Sequence, residues 1–143
     1  MTSHKDDGRA FQLRAKHAVE ATLGITLRLE VMIPGGPPGR RFDFASADFS
    51  IVGEAKRYSW TVSGNDPSAK LKDLRTTAAD LQALPPSTHT FLVMARSVHP
   101  HKGGLAEMYA RRDRARLGPV TVLEFDESSG TLRVVRQGRL RLP

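Results

Sequence analysis

Two carboxylates and a lysine are closely spaced in the stretch Arg41-Phe42-Asp43-Phe44-Ala45-Ser46-Ala47-Asp48-Phe49-Ser50-Ile51-Val52-Gly53-Glu54-Ala55-Lys56. The stretch alternates in character, which predicts Phe42 and Phe44 on one face and Asp43 on the other, with Glu54 and Lys56 opposed to Ile51, Gly53 and Ala55. A tight turn centred on Asp48-Phe49 sets position 43 across from position 54, at the roughly 4.5 to 5.5 Å Cβ separation of a cross-strand pair. Lys56 follows two residues further along the same face. Two acids this close make a poor structural pair and a good site for a hard divalent cation. Mg²⁺ takes oxygen ligands at about 2.0 to 2.1 Å and is usually held by one or two carboxylates together with waters and substrate phosphate oxygens. Asp43 and Glu54 are therefore the expected ligands of Mg²⁺ or Mn²⁺. Lys56 would orient an attacking water or neutralise charge developing on a phosphoryl group. The competing arrangement is a charged ladder on an exposed hairpin, with Lys56 paired across to Asp43.

An acid on one strand, followed on the next by Glu, any residue and Lys, resembles the signature of the PD-(D/E)xK nucleases, the superfamily of restriction-endonuclease-like enzymes and archaeal Holliday junction resolvases. Asp43 and Glu54-Ala55-Lys56 carry the resemblance, and Phe42 stands where the family name has proline. It would cover residues 9–98. The resemblance implies an α/β fold with a restriction-endonuclease-like core: a central mixed sheet that begins as a β-meander flanked by helices. A C-terminal helix and β-hairpin would be added to that core. The implied activity is metal-dependent hydrolysis of phosphodiester bonds, as a DNA endonuclease in the first instance, and a compact nuclease that cuts both strands commonly pairs as a homodimer. Members of the family often carry an acid on the first helix that helps hold a second metal. Gly8-Arg9-Ala10-Phe11-Gln12 resembles that stretch with glutamine in the acid's place, so Gln12 joins the expected catalytic set as a donor to a metal-bound water. Glu20, nearly opposite the helix's apolar stripe, reads as a solvated residue. The missing acid also favours a rival, a non-catalytic nucleic-acid-binding module that keeps the fold. Adjacent carboxylates facing a polyanion argue against that rival.

Periodicity predicts the scaffold around these residues. Phe11, Ala15, Val19 and Leu23 recur every four residues and predict an amphipathic helix over 9–23, capped by Asp6 or Asp7 and closed by Gly24. Ile25 to Ile33 alternates as a strand, and Pro34-Gly35-Gly36-Pro37-Pro38-Gly39 breaks it as a loop. After the hairpin, Asp66-Pro67 reads as an N-cap and first helical residue. The second helix buries Leu71, Leu74, Ala78 and Leu81 and ends near Pro85-Pro86. Thr90 to Ala95 is an apolar, central strand. A third helix over 105–116 precedes strands Val120 to Phe125 and Thr131 to Arg136, joined by a turn at Asp126-Glu127-Ser128-Ser129-Gly130.

Composition narrows the partners. The chain has 143 residues and 39% hydrophobic content, enough for a single domain with one core. Twenty-two Lys and Arg against fifteen Asp and Glu give a net charge of +7, the footprint of a protein with polyanionic partners. DNA or RNA fits, as would a ribosomal setting. Cysteine is absent, which removes disulfides, thiolate nucleophiles and cysteine zinc sites. No apolar run approaches the ~18 residues of a membrane span, and the polar start lacks a signal peptide's apolar core. The expectation is a cytoplasmic protein with no membrane partner. Among the cationic and aromatic residues, Lys70 in the first turn of the second helix is placed to bind phosphate, Tyr58 and Trp60 to stack on bases, and Arg111 and Arg112 to contact backbone phosphates, with Arg114 and Arg116 continuing that run past Asp113. His99 and His101 flank a proline and show no metal-ligand spacing.

Overall fold

The computed structural model describes residues 4–65 and 67–143, with side chains from residue 7 onward. In chain order the elements are α1 (His4–Leu23), β1 (Leu27–Met32), β2 (Arg41–Ser46), β3 (Ile51–Lys56), α2 (Ser68–Gln82), β4 (His89–Ala95), β5 (Val98–His99), β6 (Gly103–Gly104), α3 (Leu105–Arg112), α4 (Arg114–Leu117), β7 (Thr121–Asp126) and β8 (Thr131–Arg136). Among the described residues they build a six-stranded mixed sheet in the order β1-β2-β3-β4-β7-β8, plus a two-stranded ribbon of β5 and β6. The first three strands form an antiparallel meander, β3 pairs parallel with β4 and β4 with β7, and β8 returns antiparallel at the edge. Parallel neighbours need a crossover. α2 supplies it between β3 and β4, and α3 with α4 between β4 and β7.

Helices cover both faces of the sheet. On one, Phe11, Ala15 and Val19 of α1 pack on Phe44, Phe91, Val93 and Phe125. On the other, Leu71, Leu74, Ala78 and Leu81 of α2, with Tyr109 of α3, pack on Val52, Leu92 and Met94. β4 therefore buries alternate side chains on both sides, which is why it reads as an unbroken apolar run. α1 stops where Gly24 takes φ +68°, its N–H donating to Glu20 O at 2.8 Å. Glu20 is not a solvated residue: its Oε2 accepts the Leu27 N–H at 2.8 Å and pairs with Lys16 Nζ at 3.0 Å, fastening the helix to the start of β1. No helix among the described residues is long and apolar enough to cross a membrane.

Several boundaries differ from the sequence expectation. α1 begins at least as early as His4, so Asp7 lies within the helix rather than capping it, and Asp6's side chain is outside the described set. Asp66 is outside the described residues as well, and Pro67 stands just before α2. The third helix is two pieces, because Asp113 is buried and its carboxylate takes both Arg75 Nε at 2.8 Å and Nη2 at 3.0 Å, ending α3 there. The strict alternation around Asp43 also fails. Phe42 packs under α2 while Phe44 packs under α1. Directly across β2, Val31 and Leu29 split in the same way, and the residue between them, Glu30, has φ +54°. A left-handed backbone at Glu30 turns the side-chain sense of β1 there, and β2 changes face at the same level, at Asp43.

Candidate active site

The β2–β3 hairpin turns where expected. Asp48 Oδ1 accepts from Ser46 Oγ at 2.8 Å, Ser50 N at 3.0 Å and Ser50 Oγ at 2.7 Å, and Phe49 takes φ +60°. The ladder pairs Ala45 with Val52 and Phe44 with Gly53. One step further, Asp43 meets Glu54, and side chains replace the ladder. Asp43 N donates to Glu54 Oε2 at 3.0 Å, and Ala55 N donates to Asp43 Oδ2 at 2.8 Å. Each carboxylate thus satisfies an N–H of the opposing strand, which fixes one oxygen of each acid to backbone.

The remaining oxygens are also engaged. Gln12 Nε2 donates to Asp43 Oδ1 at 3.2 Å and to Glu30 Oε1 at 3.0 Å, so α1 does bring Gln12 to the acids. Arg40 Nη2 bonds Glu54 Oε1 while its Nε bonds Asp80 Oδ2 of α2 at 2.9 Å, and its guanidinium carbon sits 4.6 Å from the centre of the Phe42 ring. Glu54 is only 3% exposed. Burial, and then the neighbouring Asp43 carboxyl, push its pKa up to about 8 against the opposing pull of Arg40.

Lys56 does not pair with Asp43. Its Nζ lies 3.0 Å from Asp73 Oδ2 on α2, and the same oxygen accepts the Tyr58 hydroxyl. Partial burial works to raise the pKa of Asp73, but these two donors outweigh it and hold the carboxyl below its ordinary value. Lys70 lies in the first turn of α2, its Nζ 3.3 Å from Ser59 O and 5.8 Å from the centre of the Tyr58 ring.

Two adjoining hollows open over this set. One, about 310 Å³, is lined by Gly8, Arg9, Gln12, Glu30, Asp43 and Ala55. The other, about 480 Å³, is lined by Gly8, Ala55, Lys56, Arg57, Tyr58, Ser59 and Lys70. Gly8 and Ala55 belong to both, so together they form a trough with Glu30, Asp43 and Arg9 at one end and Lys56, Arg57 and Lys70 at the other; the buried Glu54 lines neither hollow.

The structure brings Asp43, Glu54, Gln12, Lys56, Tyr58 and Lys70 together and leaves the other predicted residues elsewhere. Trp60 is half-buried against the α2-side core, its Nε1 donating to Gly103 O at 3.0 Å, which leaves it poorly placed as a stacking platform. Arg111 and Arg112 sit at the end of α3 and line neither hollow. Glu30, Arg40 and Asp73 were missed in the sequence. Each acts through a partner distant along the chain, and only Arg40, next to the Gly39 break, had a local signal.

Hard oxygen donors from two facing acids suit a divalent ion completed by water and substrate phosphate. Among the described residues no group of three or more His, Cys, Asp or Glu could hold a metal by itself. No protein-family model, no curated protein and no solved structure matches this chain.

Proposed function

We propose that this chain is a metal-dependent nuclease hydrolysing phosphodiester bonds, with DNA as its substrate and a restriction-endonuclease-like core as its scaffold. The observation that carries the reading is the pairing of Asp43 with Glu54 at the point where the β2–β3 ladder stops. There the buried Glu54 carboxyl is kept beside Asp43, which lines the open trough, an arrangement of two adjacent acids that suits a bound divalent cation. Mg²⁺ or Mn²⁺ bound by these two acids would supply Lewis acidity and a water of lowered pKa. Asp43 and Glu54 would hold that ion, their carboxyl groups oriented by the N–H groups of Ala55 and Asp43. Lys56, steadied by Asp73 in the adjoining hollow, orients the attacking water or offsets charge on the phosphoryl oxygens. Gln12 keeps Asp43 in place and can donate to a bound water. Lys70 and Tyr58 border the path of the strand, and a second copy of the chain would be needed to cut both strands together.

One observation favours the non-catalytic alternative: Arg40 Nη2 already occupies Glu54 Oε1, so a metal must displace it. The deciding experiment incubates supercoiled plasmid, single-stranded DNA and branched DNA with the protein, with and without Mg²⁺ or Mn²⁺. Cleavage that needs the divalent ion and disappears in the isosteric Glu54→Gln is expected. Full cleavage by Glu54→Gln would sink the assignment.

A further inference from the structure

The arginines of the α3–α4 segment converge on a different part of the molecule from the trough. Arg111, Arg114 and Arg136 line a hollow of about 260 Å³ between α3, α4 and the edge strand β8, with Glu107, Ala110 and Val135 completing the wall. The acid of this set is already engaged, because Glu107 pairs with Arg133, whose Nε also bonds Glu124 Oε1 at 2.7 Å. Arg136 Nη1 donates to Val120 O at 2.8 Å, which orients that guanidinium where it lines the hollow. Among the described residues no carboxylate pairs with Arg111 or Arg114, and both side chains are exposed. Packing does not account for their convergence, since α3 makes its core contacts through Leu105, Ala106, Met108, Tyr109 and Ala110.

We propose that this hollow binds a backbone phosphate of nucleic acid, at a place separate from the trough. A guanidinium presents a planar fork that matches two phosphate oxygens, and three forks around one hollow can take a tetrahedral anion from several sides. Like charges held together repel, and an anion between them removes that repulsion. The cationic lining continues past this hollow. On the other side of α4, Arg116 lines a second open hollow with Arg75, Ala79, Gln82, Ala83 and Ala115. A band that wraps a short helix suits a chain of phosphates better than a single free anion, and the net charge of +7 points to the same class of partner. The choice of nucleic acid rests on the function proposed above, but the site itself does not depend on cleavage.

The test measures anisotropy of a fluorescent DNA duplex in EDTA across a salt series. It compares the wild type, Arg111→Gln/Arg114→Gln, Arg136→Lys, and a charge-matched control, Arg28→Gln/Arg141→Gln, whose residues are exposed and line neither arginine hollow. The hollow variant should bind more weakly, with the slope of log affinity against log salt reduced by about 0.9 for each phosphate that is no longer neutralised, while the control keeps the wild-type slope. Arg136→Lys should fall between them, because an ammonium keeps the charge and loses the fork. An unchanged slope, or a decrease equal to that of the control, overturns the proposal. So does a wild type that does not bind the duplex, competition by inorganic phosphate alone at equal phosphate concentration, or tighter arginine-dependent binding to phosphatidylserine vesicles than to DNA. Binding that shows the expected pattern in a protein that never cleaves would overturn the catalytic reading and leave this site standing. Equal melting temperatures of all four proteins confirm that folding is unaffected.

Discussion

Lys56 is paired with Asp73 of α2, Nζ to Oδ2 at 3.0 Å, and not with Asp43 across the hairpin. The charged-ladder arrangement is therefore not how this hairpin is built, and the ammonium is held on the side of the trough away from the acids. Both partners are partly exposed, so the pair contributes little to stability. Its consequence is positional. Asp73→Asn should leave the melting temperature close to that of the wild type and lower kcat for DNA cleavage roughly tenfold or more with KM little changed. Asp73→Glu should restore part of the activity. A wild-type kcat in Asp73→Asn would show that Lys56 needs no such support.

Removing the acids themselves should be more severe. Asp43→Asn, Glu54→Gln and Lys56→Ala are each expected to cut the rate of metal-dependent cleavage by at least about a hundredfold, the scale on which a single stabilising group in an active site acts. The isosteric changes at Asp43 and Glu54 are preferred because truncation would strip Ala55 N or Asp43 N of its acceptor and confuse activity with folding. Circular dichroism and a plasmid-nicking time course on each variant separate the two effects.

The periodic features were readable in the chain because they are local. Phe11, Ala15 and Val19 define one helical stripe and Leu71, Leu74, Ala78 and Leu81 another, and all are buried. The placing of position 43 opposite position 54 came from where the turn falls, and Asp48 with its serines does close the hairpin there. What escaped were properties of pairing between distant segments. The change of face between Phe42 and Phe44 is matched across the ladder at Glu30, on a strand whose own alternation gives no warning of a left-handed residue. Asp113 looked like a break in a run of arginines, but Arg75, 38 residues earlier, buries it and splits the helix. Arg40 and Asp73, which bring positive charge to Glu54 and hold Lys56, have partners 14 and 17 residues away in other elements. No window short enough to show period two or period 3.6 contains both ends of such a contact.

Gly53, which forms the last β2–β3 ladder pair with Phe44 and precedes Glu54, is set by packing. A Cβ built there would lie 2.2 Å from Phe91 Cζ and 2.4 Å from both Cε atoms, and Phe91 is fully buried and stacked on Phe44 with ring centres 5.9 Å apart. Gly53→Ala forces the Phe91 ring or strand β3 to move, at a cost of about 1 to 3 kcal/mol. Since Glu54 is the next residue, metal binding should weaken as well. Chemical denaturation gives the stability change, and Gly53→Ala paired with Phe91→Leu should recover part of it if the ring is the obstruction.

Glu54 also predicts how stability depends on pH. In the unfolded chain this carboxyl ionises near its ordinary value of 4.5, whereas in the fold burial and the Asp43 carboxyl hold the proton until about 8. The folded state therefore binds the proton more tightly. Its contribution to stability is fully present below pH 4.5, is lost progressively as pH climbs, and is gone above about pH 8, where both states are ionised. The metal-free wild type should lose melting temperature across that window. Glu54→Gln has no proton to release there and should lack this part of the slope. A divalent ion competes with the same proton, so titrating Mg²⁺ at pH 8 should raise the melting temperature of the wild type as expected for a ligand that binds only the folded state, with a smaller gain near pH 5. Glu54→Gln should gain little at either pH. Differential scanning fluorimetry over a grid of pH and Mg²⁺ reads all four conditions, and curves for the two proteins that superimpose throughout would mean that Glu54 neither stores the proton nor holds the ion.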